Sequence, residues 1–131
     1  CHGFVGEKFS LLDQPGPALP TLRLFIRGMI EGGLADPQRR GCLIANTIME
    51  LSPHEKEIAN TLRQVLKMAE DTFFKVLARA KQQGELNKDK DPRALAHFLT
   101  TMLQGTIVMI KAGASADAVN QTAETALSVL D

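Results

Sequence analysis

The sequence predicts an all-α protein, a single bundle of about six helices. Three observations predict it. Apolar side chains recur at three- and four-residue spacing through most of the chain, and no segment alternates with the two-residue period of a strand. The breaks between these stretches are short and rich in Pro, Gly and Asp. At 131 residues with 44% apolar and 23% charged side chains, the chain can bury one core without disulfide or metal support.

The elements follow in order. Phe4, Val5 and Phe9 already form an apolar helical face, so residues 3–12 read as the end of a helix entered partway, closed by DQPGP at 13–17. A second helix is expected over 17–31, with Leu22, Phe25, Ile26, Met29 and Ile30 in one stripe and Gly32–Gly33 as its terminus. A third occupies 42–51, within GCLIANTIMEL. Ser52-Pro53-His54-Glu55 then has Ser at an N-cap, Pro in the first helical position and Glu at the third. From there Ile58, Leu62, Val65, Leu66, Ala69, Phe73, Val76, Leu77 and Ala80 continue one stripe to Gly84, predicting a spine helix of roughly 45 Å. Asp91-Pro92 caps a fifth helix that runs to Lys111 and stops at Gly113, and Ser115 starts the last. Val119, Thr122, Ala123, Ala126, Leu127 and Leu130 share one side of that last helix.

The fifth helix carries no formal charge between Arg93 and Lys111. Its polar content (His97, three Thr, Gln104) and minimal length argue against a membrane span. A helix buried on two sides is the better account. Leu95, Phe98, Leu99, Met102, Thr106, Ile107 and Ile110 are expected to face the chain's own core. His97, Thr101, Gln104, Gly105 and Val108 form a second, uncharged stripe of small or polar side chains, matched by Val119, Ala123 and Ala126 on the last helix. Such surfaces allow close helix approach, so these eight residues are the expected interface of a homodimer built on the last two helices of each copy. A monomer with two central helices is the alternative.

Enzyme chemistry is not visible. His2, His54 and His97 are scattered, Pro53 separates Glu50 from His54, and no glycine-rich motif leads into Lys-Ser/Thr. No catalytic residue, metal or cofactor is expected. Net charge is zero and no basic run exceeds Arg39-Arg40, which makes this chain a poor holder of DNA phosphates by itself. Cys1 and Cys42 make no metal or redox spacing, and no secretory segment is visible, so free thiols and a cytoplasmic setting are expected. A small-molecule pocket is the remaining candidate. Phe25, Met29, Cys42, Asn46, Met49, Leu66, Phe73 and Met102 are its expected lining, with Asn46 orienting a ligand among apolar walls. Plain core packing is the competing account of the same residues. Cys42 follows Arg39, Arg40 and Gly41 at a helix start, where N–H groups and cations favour a thiolate, so it is a candidate redox or electrophile sensor. Lys111 is a second candidate near that site, or else complements its own helix C-terminus.

LRLFIRGMIEGG, GCLIANTIMELSP, FFKVLARAKQQGEL and DPRALAHFLTTMLQGTIVMIKAG, in this order, resemble the C-terminal regulatory domain of the TetR family of bacterial transcriptional regulators. The resemblance covers nearly the whole chain. It implies a homodimer through the last two helices, an inducer cavity among the middle ones, and operator DNA bound only through an N-terminal helix-turn-helix domain ahead of Cys1. Residues 1–13 would then close the helix linking the two domains. The implied function is a repressor released by a small hydrophobic or electrophilic inducer. The alternative is a stand-alone dimeric helical interaction module without a ligand.

Overall fold

The computed structural model describes residues 12, 16–36 and 56–131. Four α-helices are formed there: α1 (Ala18–Ala35), α2 (Lys56–Gln82), α3 (Pro92–Lys111) and α4 (Ala116–Leu127), with a 3-10 turn over Ser128–Leu130. No strand occurs among the described residues. The all-α class is as predicted. Of the six expected helices, the one at 42–51 and nearly all of the one at 3–12 lie outside the described residues. Leu12, the last residue of that first helix, is described. It sits in a 3-10 turn with its side chain fully buried in the core.

Local chemistry explains the ends. Pro17 precedes α1 in an extended conformation, and Gly16 takes φ +111, a region that only glycine adopts without strain. Asp91 caps α3 by accepting from Arg93 N, with Pro92 in the first turn; Ser115 caps α4 by accepting from Ala118 N. Gly84 and Gly113, at φ +78 and +93, reverse the chain after α2 and α3. The N-terminus of α1 has no side-chain cap of its own. Glu85, just past α2, supplies one from a distance, accepting from Ala18 N at 2.9 Å and Leu19 N at 3.1 Å.

One predicted terminus was wrong. α1 continues through Gly32–Gly33 to Ala35 instead of ending there. A Cβ on Gly33 would stand 3.2 Å from Ile110 Cδ1, so this glycine lets α1 close on α3.

The core lies where α1 crosses α2, α3 and α4. Leu22, Phe25, Ile26 and Ile30 of α1 meet Phe73, Val76, Leu77 and Ala80 of α2, Leu99 and Ile110 of α3, and Val119, Ala123 and Leu127 of α4. Phe25 and Phe73 touch edge to face, centroids 5.8 Å apart. The apolar stripe of α2 is fully buried only toward its C-terminal half; Ile58, Leu62, Val65, Leu66 and Ala69 are half-buried. α3 is rotated from its expected setting. Ala96 and Leu103 are buried, whereas Phe98, expected inside, is 41% exposed. By length and composition α3 is apolar enough to cross a membrane, but it packs against α1, α2 and α4.

Candidate functional site: two grooves flanking one helix

The described residues among those named for the expected pocket do not line one common cavity. Phe25 and Phe73 are solid core, Met29 and Met102 pack half-buried against that core, and Leu66 faces elsewhere. Cys42, Asn46 and Met49 lie outside the described residues. Lys111 is exposed in the last turn of α3, on neither groove wall. The physical reason is the wide apolar stripe of a helix, which cannot distinguish a side chain lining a cavity from one filling it.

Among the described residues, two concave surfaces flank α3. The first, about 720 Å³, runs between α2 and α3. Arg63, Leu66, Lys67 and Glu70 form its α2 wall, and His97, Thr100, Thr101, Gln104, Gly105 and Val108 form the other. All five residues of the predicted uncharged stripe of α3 line this groove. The second, about 900 Å³, lies between α3 and α4. Phe98, Thr101, Met102, Gly105 and Met109 face Ala118, Gln121, Thr122 and Thr125 across it, with Val119 and Ala126 at its base. Thr101 and Gly105 line both, so α3 is a ridge with a groove on each flank.

Val119, Ala123 and Ala126 were expected to face a partner and instead turn inward, 3–5% exposed. The exposed wall of α4 is Ala118, Gln121, Thr122 and Thr125, one helical face away. Small side chains on α4 thus serve first to bring it close to its own bundle.

Threonine chemistry accounts for how polar lettering yields an apolar surface. Thr100, Thr106 and Thr122 each donate to the carbonyl four residues earlier, at 2.8, 2.8 and 3.0 Å, which satisfies their hydroxyls within the helix. Gln104 is different. Its Oε1 is buried with no donor among the described residues.

One end of the α2/α3 groove is held by charge. Arg93 bonds Asp71 at 2.8 Å and Glu70 at 3.3 Å while lying 4.0 Å over the Phe74 ring, and His97 Nδ1 is 2.7 Å from Glu70 Oε1. The Arg93 hydrogen bond holds the Asp71 carboxyl below its ordinary pKa. No group of three metal-ligating side chains occurs among the described residues. Periodicity missed this cluster because Glu70 and Arg93 belong to different helices.

This bundle has known counterparts. Residues 18–126 match the family described as Tetracyclin repressor-like, C-terminal domain. The chain belongs to the TetR family. It is 37% identical over 123 residues to the uncharacterized HTH-type transcriptional regulator YezE of Bacillus subtilis (strain 168), covering 92% of this chain and 62% of that protein. The HTH-type transcriptional repressor ComR of Escherichia coli (strain K12) is 36% identical over 87 residues, 66% of this chain and 41% of its own length. Among solved structures, a cysteine mutant of the TetR family regulator CifR with double-strand operator DNA superposes with TM-score 0.85 at 22% identity, over 99% of this chain and 68% of that one. A TetR regulator from Chloroflexus aurantiacus J-10-FL gives 0.80 at 18%, over 95% and 63%. These two likenesses concern the fold. This TetR-family chain thus spans about 62% of the YezE relative's length. The relatives it matches are transcriptional regulators and not enzymes.

Proposed function

We propose that this chain is the effector-sensing and dimerisation domain of a cytoplasmic TetR-family repressor. The observation that carries the reading is the surface of α3 and α4. Between Arg93 and Lys111 it is uncharged, it is grooved on both flanks of one ridge, and it exposes Phe98 and Met109 at 41% and 56%. A face that is cheap to desolvate and carries exposed apolar anchors suits a symmetric homodimer. Operator contact belongs to a helix-turn-helix domain joined through residues 1–13, in keeping with the HTH-type relatives and the zero net charge of this chain. A small hydrophobic or electrophilic inducer, in a cavity to which Cys42, Asn46 and Met49 contribute, shifts the dimer toward an arrangement whose two reading heads no longer fit successive half-sites.

Gly105→Glu places a carboxylate on the ridge between the grooves, where no described residue outside its own helix backbone lies within 4 Å of an added Cβ. Light scattering is expected to show a dimer for the parent and monomer for the variant; an unchanged dimer removes the α3/α4 assignment. Calorimetry against hydrophobic and electrophilic metabolites is expected to reveal one saturable site. A silent titration across the panel returns the chain to a ligand-free interaction module.

A further inference from the structure

The chain around the start of α1 is tied at two points to the last turn of α2 and its exit. Leu12 is fully buried in the core, and its carbonyl accepts from Arg79 Nη2 at 3.2 Å. Further on, Gly16 turns at φ +111 and Pro17 leads into α1, whose first two amides donate to the Glu85 carboxylate. Arg79 lies in the last turn of α2, and Glu85 stands just beyond that helix. The exit that carries Glu85 is itself fixed. Gly84 reverses the backbone at φ +78, Glu85 N and Leu86 N both donate to the Ala80 carbonyl at 2.9 and 3.3 Å, and Leu86 is buried in the same core.

The sign of each charge matches the group it holds. A carbonyl at a chain turn is complemented by a cation, and the N–H groups of a helix start by an anion. Arg79 is also kept for this use. It forms no ion pair with a carboxylate among the described residues, its Nε is buried there without a partner, and its guanidinium bonds the Leu12 carbonyl. A half-buried cation committed to one backbone carbonyl loses hydration that a surface Arg keeps, and holding Leu12 in one place accounts for it.

We propose that Arg79 is a positioning residue: together with Glu85 it mounts the segment ahead of Leu12 on the C-terminal end of α2, and so fixes the direction in which that segment leaves the bundle. The same end of α2 carries Phe73, Val76, Leu77 and Ala80 into the core against α1 and α3, so a shift of α2 within the bundle is passed to the mount. Its consequence for operator DNA rests on the reading above, in which residues 1–13 lead to a helix-turn-helix domain. The mount itself does not, and the two are tested separately.

The test is a spin-label distance measurement on the 131-residue chain. Ser10→Cys, ahead of Leu12, and Gln64→Cys, exposed on α2, are labelled with nitroxides in a Cys1→Ser, Cys42→Ser background and diluted with unlabelled chain. Pulsed EPR is expected to give one narrow distance peak, which Arg79→Met loses. A control pair within the bundle, Gln64→Cys with Asp117→Cys, is expected to keep its distribution in the same variant. Should Arg79→Met fold poorly by circular dichroism, Arg79→Gln takes its place. A broad peak in the parent, or one that stays narrow without the guanidinium, overturns the mount. A control pair that broadens alongside overturns it too, since Arg79 would then serve only the general packing. None of these outcomes touches the light-scattering or calorimetric tests, so failure of the mount and failure of the sensor reading are told apart.

Discussion

Gly32 and Gly33 stand side by side near the end of α1, and a methyl group added to each meets different surroundings. Around Gly32 no described residue outside its own helix backbone lies within 4 Å of an added Cβ, its φ is not in the left-handed region, and the residue is exposed. Alanine there removes backbone freedom from the unfolded chain at no steric cost, so Gly32→Ala is expected to raise stability by about 0.5–1 kcal/mol. At Gly33 the same methyl presses on Ile110 Cδ1 at 3.2 Å, which offsets the propensity gain, and Gly33→Leu is expected to lower stability outright. Urea denaturation of the three variants checks the order; a Gly33→Leu variant as stable as the parent denies the close α1–α3 approach.

At the scale of elements, helix ends differ in where their caps come from. Asp91 and Ser115 cap α3 and α4 from adjacent positions, whereas α1 depends on Glu85, more than sixty residues away. That carboxylate closes two N–H groups at once and fixes the turn after α2 against the start of α1. Arg79 adds a second tie nearby, donating to the Leu12 carbonyl at 3.2 Å. Glu85→Ala is expected to cost about 1–2 kcal/mol. Hydrogen exchange should show the loss concentrated in the amides of Ala18 and Leu19. Unchanged protection there would mean the cap does not hold α1.

For the molecule as a whole, α1 is strapped to the C-terminal end by charge. Arg27 reaches both carboxylate oxygens of Glu124, at 2.9 and 3.0 Å, and Arg23 bonds Asp131 at 2.7 Å. The Arg27 hydrogen bond holds the Glu124 carboxyl below its ordinary pKa, as Arg93 does for Asp71. A carboxyl depressed in the folded state binds fewer protons there than when unfolded. Its contribution is therefore complete above the ordinary carboxylate range and fades as pH falls through and below it. Glu124→Gln is expected to lower the urea midpoint at pH 7, with the gap to the parent narrowing as pH falls below the ordinary carboxylate range. A gap that does not narrow with falling pH would assign the effect to packing. Both pairs are exposed, so added salt should narrow the pH 7 gap.

Element type, caps and the uncharged stripe of α3 were legible in the chain because each is written within a few neighbouring residues. Asp91-Pro92, Ser115 and Gly113 act where they stand, and a 3.6-residue period needs no distant partner. The groove-lining set from His97 to Val108 was legible for the same reason, as absent charge on one face. What each apolar face touches was not. Phe98 turned out, Val119, Ala123 and Ala126 turned in, and α1 ran on through its glycines, because helix rotation is set by the neighbours a helix packs against. Sequence by itself determined that this chain is an all-helical bundle with one uncharged helix near its end. Only the tertiary structure decided that this helix is a ridge between two grooves, since a groove exists only when side chains distant in sequence stand across from one another.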